Sequence, residues 1–264
     1  MAAPGAAGIA ADPAATMPAC ATHRLIPHRR PRATDTDRRM PGDRASAFDA
    51  VLVDWRGTLA LPLAPERWVT AALGGLGRPA SPVDAAPVLE RLEAVDADAR
   101  LGTAGMDADP ALHRRIFMEV LADAGLDSAL AEALYRVESD PGNDGFADDV
   151  PAFLARTRAA GIRIVLVSDI HVDVRPRFHA AGLSPYVDAY ALSCEHGAEK
   201  PDPRLFEAAL HMAGSRPDEA VMVGDRHTHD GGAAALGVTT LILPPLRAAT
   251  DRRLHLAEAL LYGR

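Results

Sequence analysis

Asp54 closes an apolar run and stands two residues ahead of a permanent cation, Arg56, in the stretch VLVDWRGTLAL over residues 51–61. Val51, Leu52 and Val53 read as a buried strand, and Gly57 and Thr58 turn the chain straight after it. Later segments supply polar groups that complement this carboxylate. VSDIH brings Ser168, Asp169 and His171 to one strand end, EKPDP sets Lys200 ahead of a helix start, and VGDRHTHD carries Asp225 and Asp230. A carboxylate that acts as a nucleophile needs a cation or a metal to hold an anionic substrate beside it. Hard oxygen donors such as Asp54 and Asp225 suit Mg²⁺, which keeps waters and takes substrate oxygens as further ligands. A lysine and a hydroxyl can then hold the other oxygens of a phosphoryl group as charge develops on it.

Lys200 stands out by composition. It is the single lysine among 28 basic residues, the others all being arginine. A compact ammonium and a planar guanidinium fork are not interchangeable in a tight site. A lone lysine in such a chain therefore points to a position where arginine fails.

The elements that must position these residues follow from periodicity. Strands are expected over 48–54, 163–168, 187–192, 220–225 and 239–243, continuous apolar runs that suit a sheet covered on both faces. Helices over 149–160, 173–181 and 203–213 alternate with the later strands, and the third opens with Asp202 and Pro203 and closes at Gly214. Such alternation builds a doubly wound, parallel, Rossmann-like α/β sheet that binds its ligand at the carboxyl ends of the strands. Between the first two strands the pattern turns helical, over 66–76, 86–98, 110–124 and 128–138. On the third of these, Leu112, Ile116, Val120 and Leu121 form the expected apolar face, and His113, Arg114 and Arg115 the solvated one. The resulting division is a tail over 1–46, an α/β core over 47–60 and 149–264, and an all-helical cap over 61–148, placed to act as a lid.

Composition bounds the rest. With 264 residues, 48% hydrophobic, the chain can build a proper core, and no apolar run is long enough to span a membrane. A net charge of −8 gives no footprint for nucleic acid. The first 46 residues are Ala-, Pro- and Arg-rich and lack hydrophobic periodicity, so no fixed structure is expected there. They also lack the apolar segment of a signal peptide, which makes a cytoplasmic location the expectation. The two cysteines, Cys20 and Cys194, suggest neither a disulfide framework nor a zinc site.

The motifs around Asp54, Ser168, Lys200 and Asp225, in this order, resemble those of the haloacid dehalogenase (HAD-like) superfamily, in its subgroup with a helical cap inserted after the first motif. The resemblance covers about residues 48–245. It implies that Asp54 is the nucleophile, that Thr58 supports it by hydrogen bonding, and that Ser168 holds a transferring oxygen. It implies that Lys200 bridges nucleophile and phosphate. Mg²⁺ would be held by Asp54, Asp225 and the backbone carbonyl of Arg56, with Asp230 as a carboxylate behind them. Substrate contacts are expected from Arg56, Ser168, Asp169, His171 and Lys200. Asp169 also suits a loop-capping role, and Asp230 a helix N-cap. His171, His196, His227 and His229 lie near these loops without a recognised ligand spacing and read as surface or loop residues. His171 differs in following the Ser168 loop directly.

Arg56 departs from the family pattern. Phosphatases of the superfamily carry a second Asp there as general acid, dehalogenases usually Tyr, and phosphonate-cleaving members a small residue. Arginine stays protonated and is a poor acid. The implied enzyme therefore prefers good leaving groups, or substrates with a second anion for Arg56, or takes a proton from His171. The bland alternative is a salt bridge from Arg56 to Asp230 or Asp169 that orders the loop. Asp225 in the retained GD pair favours the metal-dependent branch. The leading expectation is a Mg²⁺-dependent phosphatase acting on a small phosphorylated metabolite through an aspartyl intermediate at Asp54. The alternatives are a metal-independent 2-haloacid dehalogenase, with Arg56 holding the substrate carboxylate, and a non-catalytic protein that keeps the phosphate site. No nucleic acid or membrane partner is expected.

Overall fold

Apolar residues of β1 (Ala50–Val53) alternate between two cores. Val51 and Val53 join one cluster, and Ala50 and Leu52 the other. This two-sided burial is what the continuous apolar runs required. The computed structural model describes residues 46–263. Of the tail expected over 1–46, all but Ser46 lies outside these residues, as does Cys20 and with it the reading of the cysteine pair.

After β1 come a short β2 (Ala60–Leu61) and five helices, α1 (Pro65–Gly75), α2 (Pro82–Ala94), α3 (Ala97–Leu101), α4 (Pro110–Asp123) and α5 (Ser128–Glu138). The chain returns through β3 (Gly145–Phe146), which pairs antiparallel with β2. The alternating half follows. It comprises α6 (Val150–Ala159), β4 (Arg163–Ser168), α7 (Arg175–Ala180), β5 (Ala189–Leu192), a single turn α8 (Ser193–His196), α9 (Pro203–Ala213), β6 (Ala220–Gly224), a 3₁₀ segment over Asp230–Leu236, β7 (Thr239–Ile242) and α10 (Leu254–Tyr262). Five parallel strands form the sheet in the order β5-β4-β1-β6-β7. The α/β class expected from the sequence is the class observed. Among the described residues no helix is long and apolar enough to cross a membrane.

The two sheet faces are covered differently. Phe153 and Leu154 of α6, Phe178 of α7 and Leu254, Ala257 and Leu261 of α10 pack with Val51, Ile164, Leu166 and Val221. Leu205, Phe206 and Ala209 of α9 cover Leu52, Val165, Val167 and Met222 on the other face. Helices α1 to α5 bury a third cluster of their own, with Val69, Phe117, Val120, Leu121 and Leu134 inside.

Two expectations about the helices are corrected. The single helix over 86–98 is two helices, because Asp96 takes a left-handed φ of 51° between them. Its first part begins earlier, where Ser81 and Asp84 form a reciprocal cap ahead of Pro82. On α4 the buried face is His113, Phe117, Val120 and Leu121, one residue round from the face expected. His113 is inside, while Arg114 and Arg115 are exposed as expected.

Trp55 anchors the start of the first loop. It is fully buried, packs against Phe146 and Phe178, and donates from Nε1 to Asp144 Oδ2 at 3.0 Å. Trp55→Phe keeps an aromatic ring and removes that donor. A hydrogen bond to a charged group contributes about 1.5–3 kcal/mol, so the urea midpoint should fall accordingly. An unchanged midpoint would contradict a stabilising role for this bond.

Candidate active site

Three parallel strand ends deliver the site. Asp54 follows β1, Ser168 closes β4, and Asp225 follows β6. Neighbouring strands in register hold these ends level. The Lys200 ammonium sits among them, 2.6 Å from Asp54 Oδ1 and 2.7 Å from Asp230 Oδ1. Asp54, Lys200 and Asp230 are all buried. Burial alone would lower the lysine pKa, but Asp54, Asp230 and Asp169 outweigh it and hold the ammonium above its ordinary range. Asp169 accepts the Lys200 backbone N–H at 2.8 Å, so it fixes the segment from which the side chain projects. Asp230 accepts the backbone N–H groups of Asp225 and Arg226 on Oδ2, at 3.0 and 2.9 Å. With Lys200 on Oδ1, both its oxygens are engaged, and it organises the turn that carries Asp225.

Donor oxygens of Asp54, Asp225 and Asp230 lie within 4.8 Å of one another. Asp54 Oδ2 is buried and has no hydrogen-bond partner, although Oδ1 has Lys200. Burial and the neighbouring Asp54 and Asp230 charges push Asp225 up to about 6, with Lys200 opposing them. A hard divalent cation answers both features, so the residues present fit Mg²⁺. Gly57 makes room for this close approach. At its φ of +85°, an added Cβ would stand 2.4 Å from Asp225 Oδ2. The Thr58 hydroxyl donates to Asp225 Oδ1 at 3.4 Å and also favours the charged form of Asp54.

Arg56 turns towards the crossing between the sheet and the helices. Its Nε donates to Asp144 Oδ2 at 3.0 Å, Nη1 to Glu138 Oε1 at 2.6 Å, and Nη2 to the Glu138 carbonyl at 3.3 Å. The ion-pair partners considered from the sequence, Asp230 and Asp169, are therefore not the ones it uses. Glu138 ends α5 and Asp144 precedes β3, so the guanidinium pins the chain where it re-enters the sheet. Local pattern could not pair residues 82 and 88 positions apart.

Two more positioning residues escaped the sequence reading. Arg253, ahead of α10, donates to the carbonyls of Gly57 at 3.2 Å and Thr58 at 2.7 Å. It thus ties the C-terminal segment to the loop after Asp54. Glu199, next to Lys200, accepts the backbone N–H groups of Gly105 at 2.6 Å, of Asp107, and of Ala108 at 3.1 Å. This carboxylate holds the α3–α4 loop of the helical unit down beside the lysine. A charged residue adjoining the lone lysine was the available signal.

His171 is buried, with Nε2 3.0 Å from the Ser139 hydroxyl and Nδ1 3.5 Å from Asp107. Both nitrogens thus face the helical unit, and His171 is a buried loop histidine rather than a surface one. His113 stacks on it.

These features match a known family. A haloacid dehalogenase-like hydrolase model fits residues 48–237. The chain belongs to the haloacid dehalogenase-like hydrolases. Among relatives of this family, a phosphoserine phosphatase of Thermus thermophilus is 34% identical over 184 residues, 61% of this chain and 73% of that protein. A ribulose-1,5-bisphosphate 5-phosphatase of Halopiger xanaduensis is 32% identical over 117 residues, 40% of this chain and 49% of that protein. The chain thus spans about half the length of the second relative. A HAD-hydrolase of Bacillus subtilis, solved with magnesium, superposes with a TM-score of 0.58 at 16% identity, covering 81% of this chain and 98% of that one. A 2-haloacid dehalogenase of Pseudomonas syringae gives 0.53 at 24% identity, over 74% and 86% of the two chains. At such identities the solved structures establish the shared fold.

The buried carboxylates make a signed prediction about pH. Burial pushes Asp169 up to about 7 against the pull of Lys200, and Asp225 to about 6. An unfolded aspartate titrates near about 3.9. The native state then retains protons the unfolded chain has released, so stability of the metal-free protein falls as pH rises from about 4 through about 7. Asp169→Asn keeps an oxygen for the Lys200 N–H and should remove part of that fall. Urea unfolding with EDTA at about pH 5 and pH 8 measures it. An unchanged difference in the variant would contradict the placement of Asp169.

Proposed function

We propose that this hydrolase is a Mg²⁺-dependent phosphatase of small phosphorylated metabolites, with Asp54 as nucleophile. The observation that carries this reading is the Lys200 ammonium between Asp54 and Asp230, beside an Asp54 oxygen that has no partner. The phosphatase relatives support it. Asp54, Asp225 and the Arg56 carbonyl would hold the metal, which supplies positive charge for the phosphoryl oxygens. Burial raises the Asp54 pKa, and Lys200 opposes that rise, orients the carboxylate and offers charge to the same oxygens. Ser168, buried at the end of β4, would bind one of them. The Asp54 carboxylate bonds to phosphorus as the ester P–O bond breaks, and the leaving oxygen departs with that bond's electrons. Water then cleaves the aspartyl phosphate, releasing inorganic phosphate and restoring the carboxylate. The five-helix unit serves as the cap, and Glu199 holds its loop closed over the site.

Arg56 shapes the substrate range. Glu138 and Asp144 outweigh its burial and hold the guanidinium above its ordinary range, so it gives no proton to the leaving group. An enzyme without a positioned acid loses about 10²–10⁴-fold on poor leaving groups. Acyl phosphates, anhydrides and aryl esters need no proton and should be favoured. The dehalogenase reading asked Arg56 to hold a substrate carboxylate. Its engagement with Glu138 and Asp144 weighs against that role.

Phosphate release from a panel of esters, with and without Mg²⁺, tests the proposal. Turnover should need Mg²⁺ and vanish in Asp225→Asn with the fold retained. Halide release from 2-chloropropionate without phosphatase activity would overturn it. Rates on the native enzyme should fall steeply as leaving-group pKa rises. Rapid cleavage of unactivated alkyl phosphates would contradict the account of Arg56. Lys200→Arg should lose about 10²-fold or more, since a preorganised group displaced by an ångström is costly.

A further inference from the structure

A second group of ligating side chains lies between the helical unit and the sheet, apart from the Asp54 carboxylates. Asp107 comes from the α3–α4 loop, His113 from α4, and His171 from the loop after β4. Their donor atoms lie within 4.8 Å of one another. Asp107 Oδ1 is 3.5 Å from His171 Nδ1 and 3.9 Å from His113 Nε2. The two imidazoles stack with centroids 3.3 Å apart and planes 13° from parallel. Both histidines are 4% exposed, and the rings of Phe117 and Tyr135 flank His113.

Protein partners account poorly for this cluster. His113 Nδ1 is buried without a hydrogen-bond partner, and its Nε2 stands too far from Asp107 for a hydrogen bond. Of the two stacked rings, His171 alone comes near Asp107, at 3.5 Å, so at most one imidazole stands against that carboxylate. The loop is nevertheless held in place. Glu199 binds its N–H groups, and the Ser193 hydroxyl donates to the Asp107 carbonyl at 2.8 Å. Ser139, at 3.0 Å from His171 Nε2, is able to accept that N–H and leave Nδ1 as a lone pair facing Asp107. Ligating histidines donate their other ring N–H to an acceptor that fixes the ring, a role open to the Ser139 hydroxyl.

We propose that Asp107, His113 and His171 form a second metal site, for a borderline divalent transition ion such as Zn²⁺ rather than Mg²⁺. Two imidazoles and one carboxylate are the donor set such ions prefer, whereas Mg²⁺ prefers oxygen alone. The ligands come from both sides of the interface, so a bound ion clamps the helical unit against the sheet. Occupancy therefore stabilises the closed arrangement, whatever reaction Asp54 performs.

The experiment uses the full, tag-free chain, stripped with EDTA and kept in excess Mg²⁺ to fill the Asp54–Asp225 site. Zn²⁺ is followed by equilibrium dialysis and by melting temperature, and Co²⁺ by its visible absorption. One ion per chain should bind, with nitrogen ligation in the Co²⁺ spectrum and a rise in melting temperature with Zn²⁺. Asp225→Asn should retain this behaviour. His113→Phe, which keeps a ring in the stack, and Asp107→Asn, which is nearly isosteric, should each weaken binding at least tenfold and lose the thermal shift. Undiminished binding in a folded form of either variant would overturn the site. So would Zn²⁺ or Co²⁺ binding that disappears in Asp225→Asn, or no binding at all.

Discussion

A single ammonium group, Lys200 Nζ, lies between two buried carboxylates, and the rest of the site is arranged around it. Asp54 and Asp230 come from different strand-end loops, and Asp169 holds the lysine's own backbone. The pairing thus ties three segments of the sheet's carboxyl edge to one point. Breaking such a buried pair by removing one partner costs about 3–5 kcal/mol, because the other charge is left uncompensated. A guanidinium would have to fit a planar fork where a small tetrahedral donor now sits. That constraint gives a physical reason for the chain's one lysine amid so many arginines.

The helical unit is attached by a different kind of contact. Its apolar residues form a cluster of their own, distinct from the two that sandwich the sheet. Polar contacts carry much of the attachment. Arg56 binds Glu138 and Asp144 at the crossing, Glu199 holds the Gly105–Ala108 loop, and Ser139 meets His171. Such bonds can exchange with water when the unit moves, whereas opening a shared apolar core would expose it. The same loop brings Asp107 to the two histidines. Arg56, at the position where the family pattern has a proton donor, instead binds Glu138 and Asp144 ahead of β3.

Much of this architecture was legible in the sequence. The strands show as continuous apolar runs because both faces of a parallel sheet are covered. The chemistry shows at their ends, where Asp54, Ser168 and Asp225 interrupt those runs, and Lys200 shows by its rarity. What stayed hidden was set by distance along the chain. No local pattern joins Arg56 to Glu138, or Arg253 to the carbonyls of Gly57 and Thr58. His113 was missed for another reason. It shares the spacing of Phe117, Val120 and Leu121, yet a histidine beside two arginines reads as solvated. The Asp96 break between α2 and α3 was equally silent, since aspartate carries no strong mark for a left-handed turn.

Because the chain has one lysine, its charge state can be read without interference. Incorporating ¹³C-lysine gives a single ε-carbon resonance, whose shift reports protonation of Lys200. An ordinary lysine is half deprotonated near about pH 10.4. Held between Asp54 and Asp230, Lys200 should remain fully protonated there while the protein is folded, and Asp54→Asn should lower its midpoint. A native midpoint at or below the ordinary value would show that the ammonium is not held between two carboxylates, and the account of the site would fail with it.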